Sequence, residues 1–227
     1  MVSVLVLASS SASAQDASLE GASVDVVVAP GTADASVVVR YTVVPSAANT
    51  PLRLRAIPFF GLVPGGVSAS ADGTAVPVTL GSVGERVDGT VTLPRSLPGD
   101  RAVQLELRYA VTGAVARDGE SLDIRVPVLL LLVTPASSAD DFFAAELRVP
   151  AGITVTESFP TVPRRHETVE GEERYALALQ VVPSLLRWRG TEGAAPWLSF
   201  EAGVDLALIV VILGFALLGA RALARSA

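Results

Sequence analysis

Apolar and polar residues alternate along most of the chain between residues 15 and 200. The clearest case is Val103 to Val111, in which every second residue is Val, Leu or Tyr and the residues between them are mostly polar. A period of two indicates a β-strand with one buried face and one wet face. The same pattern predicts strands at several further places: Val24–Val28, Val37–Val43, Leu52–Ala56, Val87–Leu93, Phe143–Val149, Ile153–Ser158, Tyr175–Val182 and Leu185–Trp188.

Turn signals separate these strands at intervals of about a dozen residues, as in all-β domains. Asp-Gly pairs at Asp72, Asp88 and Asp118 suit tight turns, because glycine accepts positive φ without strain. The pattern predicts a mostly β fold of two tandem antiparallel β-sandwich modules of immunoglobulin-like size, residues 15–115 and 116–200, with one continuous sandwich as the alternative.

Two segments depart from the alternation. Residues Val126 to Val133 are apolar almost without interruption. At this length they are too short to cross a bilayer, and they predict a central strand buried on both faces, with an exposed docking strip as the alternative. Residues Ser137 to Phe142 are the one plausible short helix, with Ser138 as its N-cap.

Both ends of the chain are apolar. Residues 1–14 resemble a secretory signal segment that ends in Ala-Ser-Ala, although no Lys or Arg precedes the apolar stretch. Residues 203–225 predict a transmembrane helix with a short cytoplasmic tail, because the run from Val204 to Leu218 is followed by arginine. These patterns predict a single-pass membrane protein whose ectodomain is periplasmic or extracellular and whose C-terminus is cytoplasmic. The predicted interface anchors are Trp197, Phe200, Arg221 and Arg225, and the predicted helix-packing face is Ala216, Gly219 and Ala220.

Composition narrows the chemistry. The chain of 227 residues has no cysteine, one histidine and a net charge of −6. Thiolate metal sites and cysteine nucleophiles are therefore excluded, and a nucleic-acid partner is disfavoured because it requires a basic face. His166 lies among charged residues and no G-x-S-x-G motif occurs, so it is expected in a solvated loop. No catalytic residue, metal ligand or cofactor is predicted.

An apolar strip from Ile57 to Pro64 contains two prolines and a glycine, which suit a simple buried strand poorly. It is expected either to plug one end of a sandwich or to form an exposed contact with a partner, through Phe59, Phe60 and Leu62. The sequence-based hypothesis is a non-catalytic, membrane-anchored protein that acts by protein–protein contact, as an accessory or scaffolding subunit of a larger membrane complex such as a respiratory or photosynthetic assembly. The alternatives are a lipid- or glycan-binding ectodomain and an adhesion or sensor ectodomain.

Overall fold

The computed structural model describes residues 17–46, 50–83, 86–93 and 101–193. These residues are mostly β, which confirms that part of the predicted fold class, and they form three sheets. The strands of the first half are β1 (Ala17–Val28), β2 (Ala35–Pro45), β3 (Pro51–Ala56), β4 (Pro64–Ala71), β5 (Thr74–Val76), β6 (Val78–Val83), β7 (Arg86–Thr92) and β8 (Val103–Val111). Those of the second half are β9 (Val115–Asp118), β10 (Ser121–Pro127), β11 (Leu130–Leu131), β12 (Thr134–Pro135), β13 (Phe143–Pro150), β14 (Ile153–Phe159), β15 (Arg165–Val169), β16 (Glu172–Leu179) and β17 (Leu185–Glu192).

The largest sheet, called the long sheet below, runs in the order β15-β16-β13-β1-β2-β8-β4-β5, with β12 paired beside β1. It joins strands from both sides of residue 115, because β1 pairs in parallel with β13 through partners such as Val24 and Ala145. The described strands therefore do not separate into two independent sandwiches, and the pairing is not antiparallel throughout. The domain boundary at residues 115 and 116 stays a prediction.

Two four-stranded sheets complete the fold. The arginine sheet has the order β14-β17-β10-β9, and the β3 sheet has the order β11-β3-β7-β6. Alternate residues of the strands supply one hydrophobic core cluster, in which Trp188, Tyr41 and Phe143 are the largest fully buried side chains.

Residues 127–130 link the arginine sheet to the β3 sheet, and two buried tyrosines of the long sheet hold this link in place. The Tyr41 hydroxyl donates to the Leu129 carbonyl at 2.6 Å, and the Tyr109 hydroxyl donates to the Pro127 carbonyl at 3.0 Å. Burial raises the pKa of both phenols, so they stay neutral donors. Two carbonyl groups of the linking backbone are thus hydrogen-bonded inside the core.

This link corrects the prediction of one central strand at residues 126–133. Val126 and Pro127 are the last residues of β10 in the arginine sheet, Val128 and Leu129 cross the core as buried irregular chain, and Leu130 begins β11 in the β3 sheet. A run of apolar residues predicts burial, but it does not predict which sheet each residue joins.

The helix predicted at Ser137 to Phe142 is also absent: these residues form a turn, in which the Phe142 amide donates to the Ala139 carbonyl at 3.1 Å. No helix among residues 17–46, 50–83, 86–93 and 101–193 has the length and apolar character needed to cross a membrane. The predicted signal segment and the predicted transmembrane helix lie outside the described residues.

Candidate functional site

The arginine sheet has one apolar and one charged face. In β10 and β17, Leu122, Ile124 and Leu186 point into the core with Trp188, while the alternate residues face solvent. The solvent-facing residues of the two strands lie opposite one another in register: Asp123 opposite Arg189, and Arg125 opposite Arg187. Strand alternation therefore gathers three arginines around one aspartate.

Asp123 is the centre of this cluster. Its carboxylate accepts hydrogen bonds from Arg187 Nε at 2.8 Å and Nη2 at 2.6 Å, and from Arg125 Nε at 3.0 Å and Nη2 at 2.5 Å. The Arg187 hydrogen bonds hold the pKa of this carboxyl well below its usual range, and Arg125 adds to the effect, while partial burial opposes it. Asp123 is therefore ionised at neutral pH, and its charge and hydrogen bonds keep both guanidinium groups in place.

Arg189 is less constrained than its two neighbours. Its side chain is 50% exposed, and its closest carboxylate oxygens are 3.9 Å away on Asp123 and 3.5 Å away on Glu157. Both distances exceed the usual range of a charged hydrogen bond, roughly 2.7–2.9 Å. The guanidinium of Arg189 consequently keeps donors that a ligand could use.

A cleft of about 470 Å³ opens beside Arg189 on this face. Its walls come from all four strands of the sheet and include Arg117, Asp123, Arg125, Glu157 and Arg189. Positive and negative side chains alternate around it. A ligand that carries charges of both signs would find partners in the cleft.

An aromatic side chain contacts one of the arginines that line the cleft. The Arg125 guanidinium carbon lies 4.2 Å from the centre of the Phe60 ring, a cation–π contact. At the opposite side of the sheet, Phe159 lies in register with Arg187. The row Phe60, Arg125, Arg187, Phe159 therefore places an exposed aromatic ring at each end of an arginine pair.

A second cleft, about 540 Å³, lies on the β3 sheet, where Asp88 pairs with Arg55 at 2.8 Å and with Arg86 at 2.8 Å. Its lining includes Arg53, and neither cleft has an aromatic side chain in its lining. The two clefts share the arrangement of one aspartate held by two arginines. The loosely held Arg189 and the contact of Phe60 with Arg125 distinguish the arginine sheet, which we take as the candidate site.

The predicted contact residues Phe59, Phe60 and Leu62 are described by the structure and lie together in one turn. Phe60 is exposed, whereas Leu62 is half-buried and packs against the core. The role of these residues in partner contact stays a prediction. The predicted anchors Trp197, Phe200, Arg221 and Arg225, and the predicted packing residues Ala216, Gly219 and Ala220, lie outside the described residues.

His166 lies in strand β15 rather than in the expected loop. Its ring stacks on Tyr175 with centroids 4.4 Å apart, and its Nε2 lies 2.8 Å from the Glu173 carboxylate. This edge is a charged hairpin in which Arg165 also pairs with Glu167. Within the described ranges, no group of three or more His, Cys, Asp or Glu side chains could hold a metal ion.

Sequence reasoning did not single out Asp123, Arg125, Arg187 or Arg189. A signal was present, since Asp123-Ile124-Arg125 and Arg187-Trp188-Arg189 each place charged residues on both sides of one large apolar residue. That pattern predicts two charged side chains on the wet face of each strand. It does not tell which strand is the neighbour, because the two segments are more than 60 residues apart and pair only in the folded chain.

Comparison with known proteins gives matches among solved structures alone. No family model matches the chain, and no curated protein matches it. An M1 zinc metallopeptidase from Deinococcus radiodurans is 18% identical, with a TM-score of 0.45 over 78% of this chain and 42% of that chain. Yeast LTA4 hydrolase is 13% identical, with a TM-score of 0.45 over 80% of this chain and 30% of that chain. The chain thus spans less than half the length of either protein.

The matched proteins are enzymes, and this finding contradicts two sequence-based conclusions. One is that the chain is not an enzyme, and the other is that it acts without catalysis, as a contact or scaffolding protein; neither is kept. The absence of a recognisable catalytic motif from the sequence does not exclude catalysis. At these identities and scores the likeness assigns neither an activity nor a substrate to this chain.

Proposed function

We propose that the solvent face of the arginine sheet binds a peptide. The observation that carries this proposal is the state of Arg189, which is half exposed beside a 470 Å³ cleft and has no carboxylate oxygen closer than 3.5 Å. A ligand carboxylate could take the place of these long contacts with a short, bidentate one.

Charge favours a peptide over other ligands. The cleft combines Arg117 and Arg189 with Asp118 and Glu157, and this mixture matches a ligand that carries an amine and a carboxylate. Nucleic acid would require a basic face and fits neither the mixed charges nor the net charge of −6.

Calorimetry tests the proposal on the full chain, kept in detergent because of its apolar ends. The probe is the tetrapeptide Ala-Glu-Phe-Ala with free termini. We expect Arg189→Ala to weaken its binding about tenfold or more, since a charged hydrogen bond contributes about 1.5–3 kcal/mol. The matched control is Arg53→Ala in the cleft of the β3 sheet, which should leave the affinity within about twofold of the wild type.

Three results would count against the proposal. They are the absence of binding at millimolar peptide, binding that does not respond to Arg189→Ala, and binding that is lost on Arg53→Ala instead. Because Arg189 is half exposed and weakly paired, its replacement should leave the unfolding temperature nearly unchanged. An unfolding curve recorded for each variant confirms that the comparison is between folded proteins.

We also propose, from the sequence alone, that residues 203–225 anchor the chain in a membrane with residues 15–200 on the extracytoplasmic side. The support is the apolar run that starts at Val204 and the arginines that follow it, Arg221 and Arg225. Protease added to cells with a permeabilised outer layer should digest the region before the run. Full protection of that region, with a cytoplasmic location shown independently, would refute the topology.

A further inference from the structure

Phe60 occupies a backbone conformation that is unfavourable for its residue type. Its φ is +57°, and Gly61 after it has a φ of +75°. The Leu62 amide donates to the Phe59 carbonyl at 3.0 Å, which closes a two-residue turn between bridged residues. Turns with two positive φ values favour Asn or Gly at the first of these positions, because a bulky side chain there is crowded by its own backbone.

The same side chain is also poorly buried. Phe60 is 67% exposed, more than Phe159, the other exposed phenylalanine in the described ranges. Leu62 in the same turn packs against the core, so the turn is anchored while the ring of Phe60 is displayed. Neither the backbone conformation nor the exposure of Phe60 contributes to folding stability, and strained residues of this kind cluster at functional sites.

The Phe60 side chain contacts a residue of the candidate site. Its ring lies on the guanidinium of Arg125, which lines the cleft beside Arg189. Arg125 is also held by Asp123 through hydrogen bonds of 2.5 Å and 3.0 Å. The Phe60 ring therefore packs on a cleft-lining arginine whose position Asp123 fixes.

We propose that Phe60 is a specificity-determining residue that selects an aromatic side chain in the bound peptide. This inference rests on the proposed peptide binding and names the peptide class: a residue with a carboxylate for Arg189, followed by an aromatic residue. One side of the Phe60 ring contacts Arg125, and the ring's remaining exposed area is open to a second ring in an edge-to-face or offset arrangement.

The experiment compares Ala-Glu-Phe-Ala with Ala-Glu-Ala-Ala on the full chain by calorimetry. The wild type should bind the phenylalanine peptide about fivefold more tightly, as expected for an aromatic pair. Phe60→Ala and Phe60→Asn should bring the ratio of the two affinities close to one. Phe60→Tyr should retain the preference, because it keeps the ring. The asparagine variant suits the turn, so its loss of preference does not reflect a disturbed turn.

The outcomes separate the two proposals. If both peptides bind through Arg189 but Phe60→Asn keeps the preference, or the wild type shows none, the role of Phe60 is refuted while the peptide site stands. If neither peptide binds, or binding does not depend on Arg189, both proposals fail. If Phe60→Asn weakens both peptides equally, the residue shapes the cleft without selecting a side chain, and the inference is again refuted.

Discussion

Replacing Asp123 with asparagine should lower the free energy of unfolding by about 2 kcal/mol at neutral pH. Asp123 is 18% exposed and accepts four hydrogen bonds from Arg125 and Arg187, at 2.5–3.0 Å. Hydrogen bonds to charged groups contribute about 1.5–3 kcal/mol, and removal of one partner leaves the other charges uncompensated. Asparagine keeps one acceptor oxygen, so the loss is smaller than that of all four bonds.

The loss of stability caused by Asp123→Asn should depend on pH. The pKa of Asp123 is depressed in the folded protein, chiefly by the hydrogen bonds from Arg187. A depressed carboxyl pKa stabilises the fold fully above the pKa of the unfolded chain, roughly 3.9, and this stabilisation is lost as the pH falls below that value toward the folded pKa. The difference between wild type and Asp123→Asn should therefore be greatest at pH 7 and shrink steadily below about pH 4.

The assay is urea unfolding followed by circular dichroism at pH 7 and at pH 2.5. The matched control is Glu157→Gln on the same face, where the carboxylate is 69% exposed and 3.5 Å from Arg189, so its effect should stay below about 0.5 kcal/mol. The reasoning would be refuted if Asp123→Asn costs less than the control at pH 7. A cost that is equal at both pH values would show that charge is not the cause.

Two further changes test the packing that positions the site. Gly190→Ala should destabilise the protein by about 2 kcal/mol or more, because the added Cβ would lie 2.1 Å from the Thr154 carbonyl oxygen. Gly81→Ala is the control and should have little effect, because the space around Gly81 is open. Thermal unfolding of both variants tests this prediction. Tyr109→Phe should cost about 1–3 kcal/mol, because the buried Pro127 carbonyl loses its donor, and an unchanged denaturation midpoint would contradict that assignment.

The local character of the chain could be predicted from the sequence, because alternation of apolar and polar residues records which face of a strand meets the core. Val103 to Val111 alternates in the sequence, and in the structure its residues alternate between buried and less buried positions along β8. The turns at Asp72-Gly73 and Asp118-Gly119 likewise follow from what glycine permits, and the structure places both glycines at positive φ.

The pairing of the strands and the grouping of residues in the candidate site depend on the tertiary structure. The parallel partnership of β1 with β13, and the crossing of Val128 and Leu129 between two sheets, depend on contacts between distant segments, and no local period encodes such contacts. The same holds for Asp123 and Arg187, which lie 64 residues apart and meet because β10 and β17 are neighbours in register. A strand's sequence determines which of its side chains face solvent, but the fold determines which other strand lies beside them.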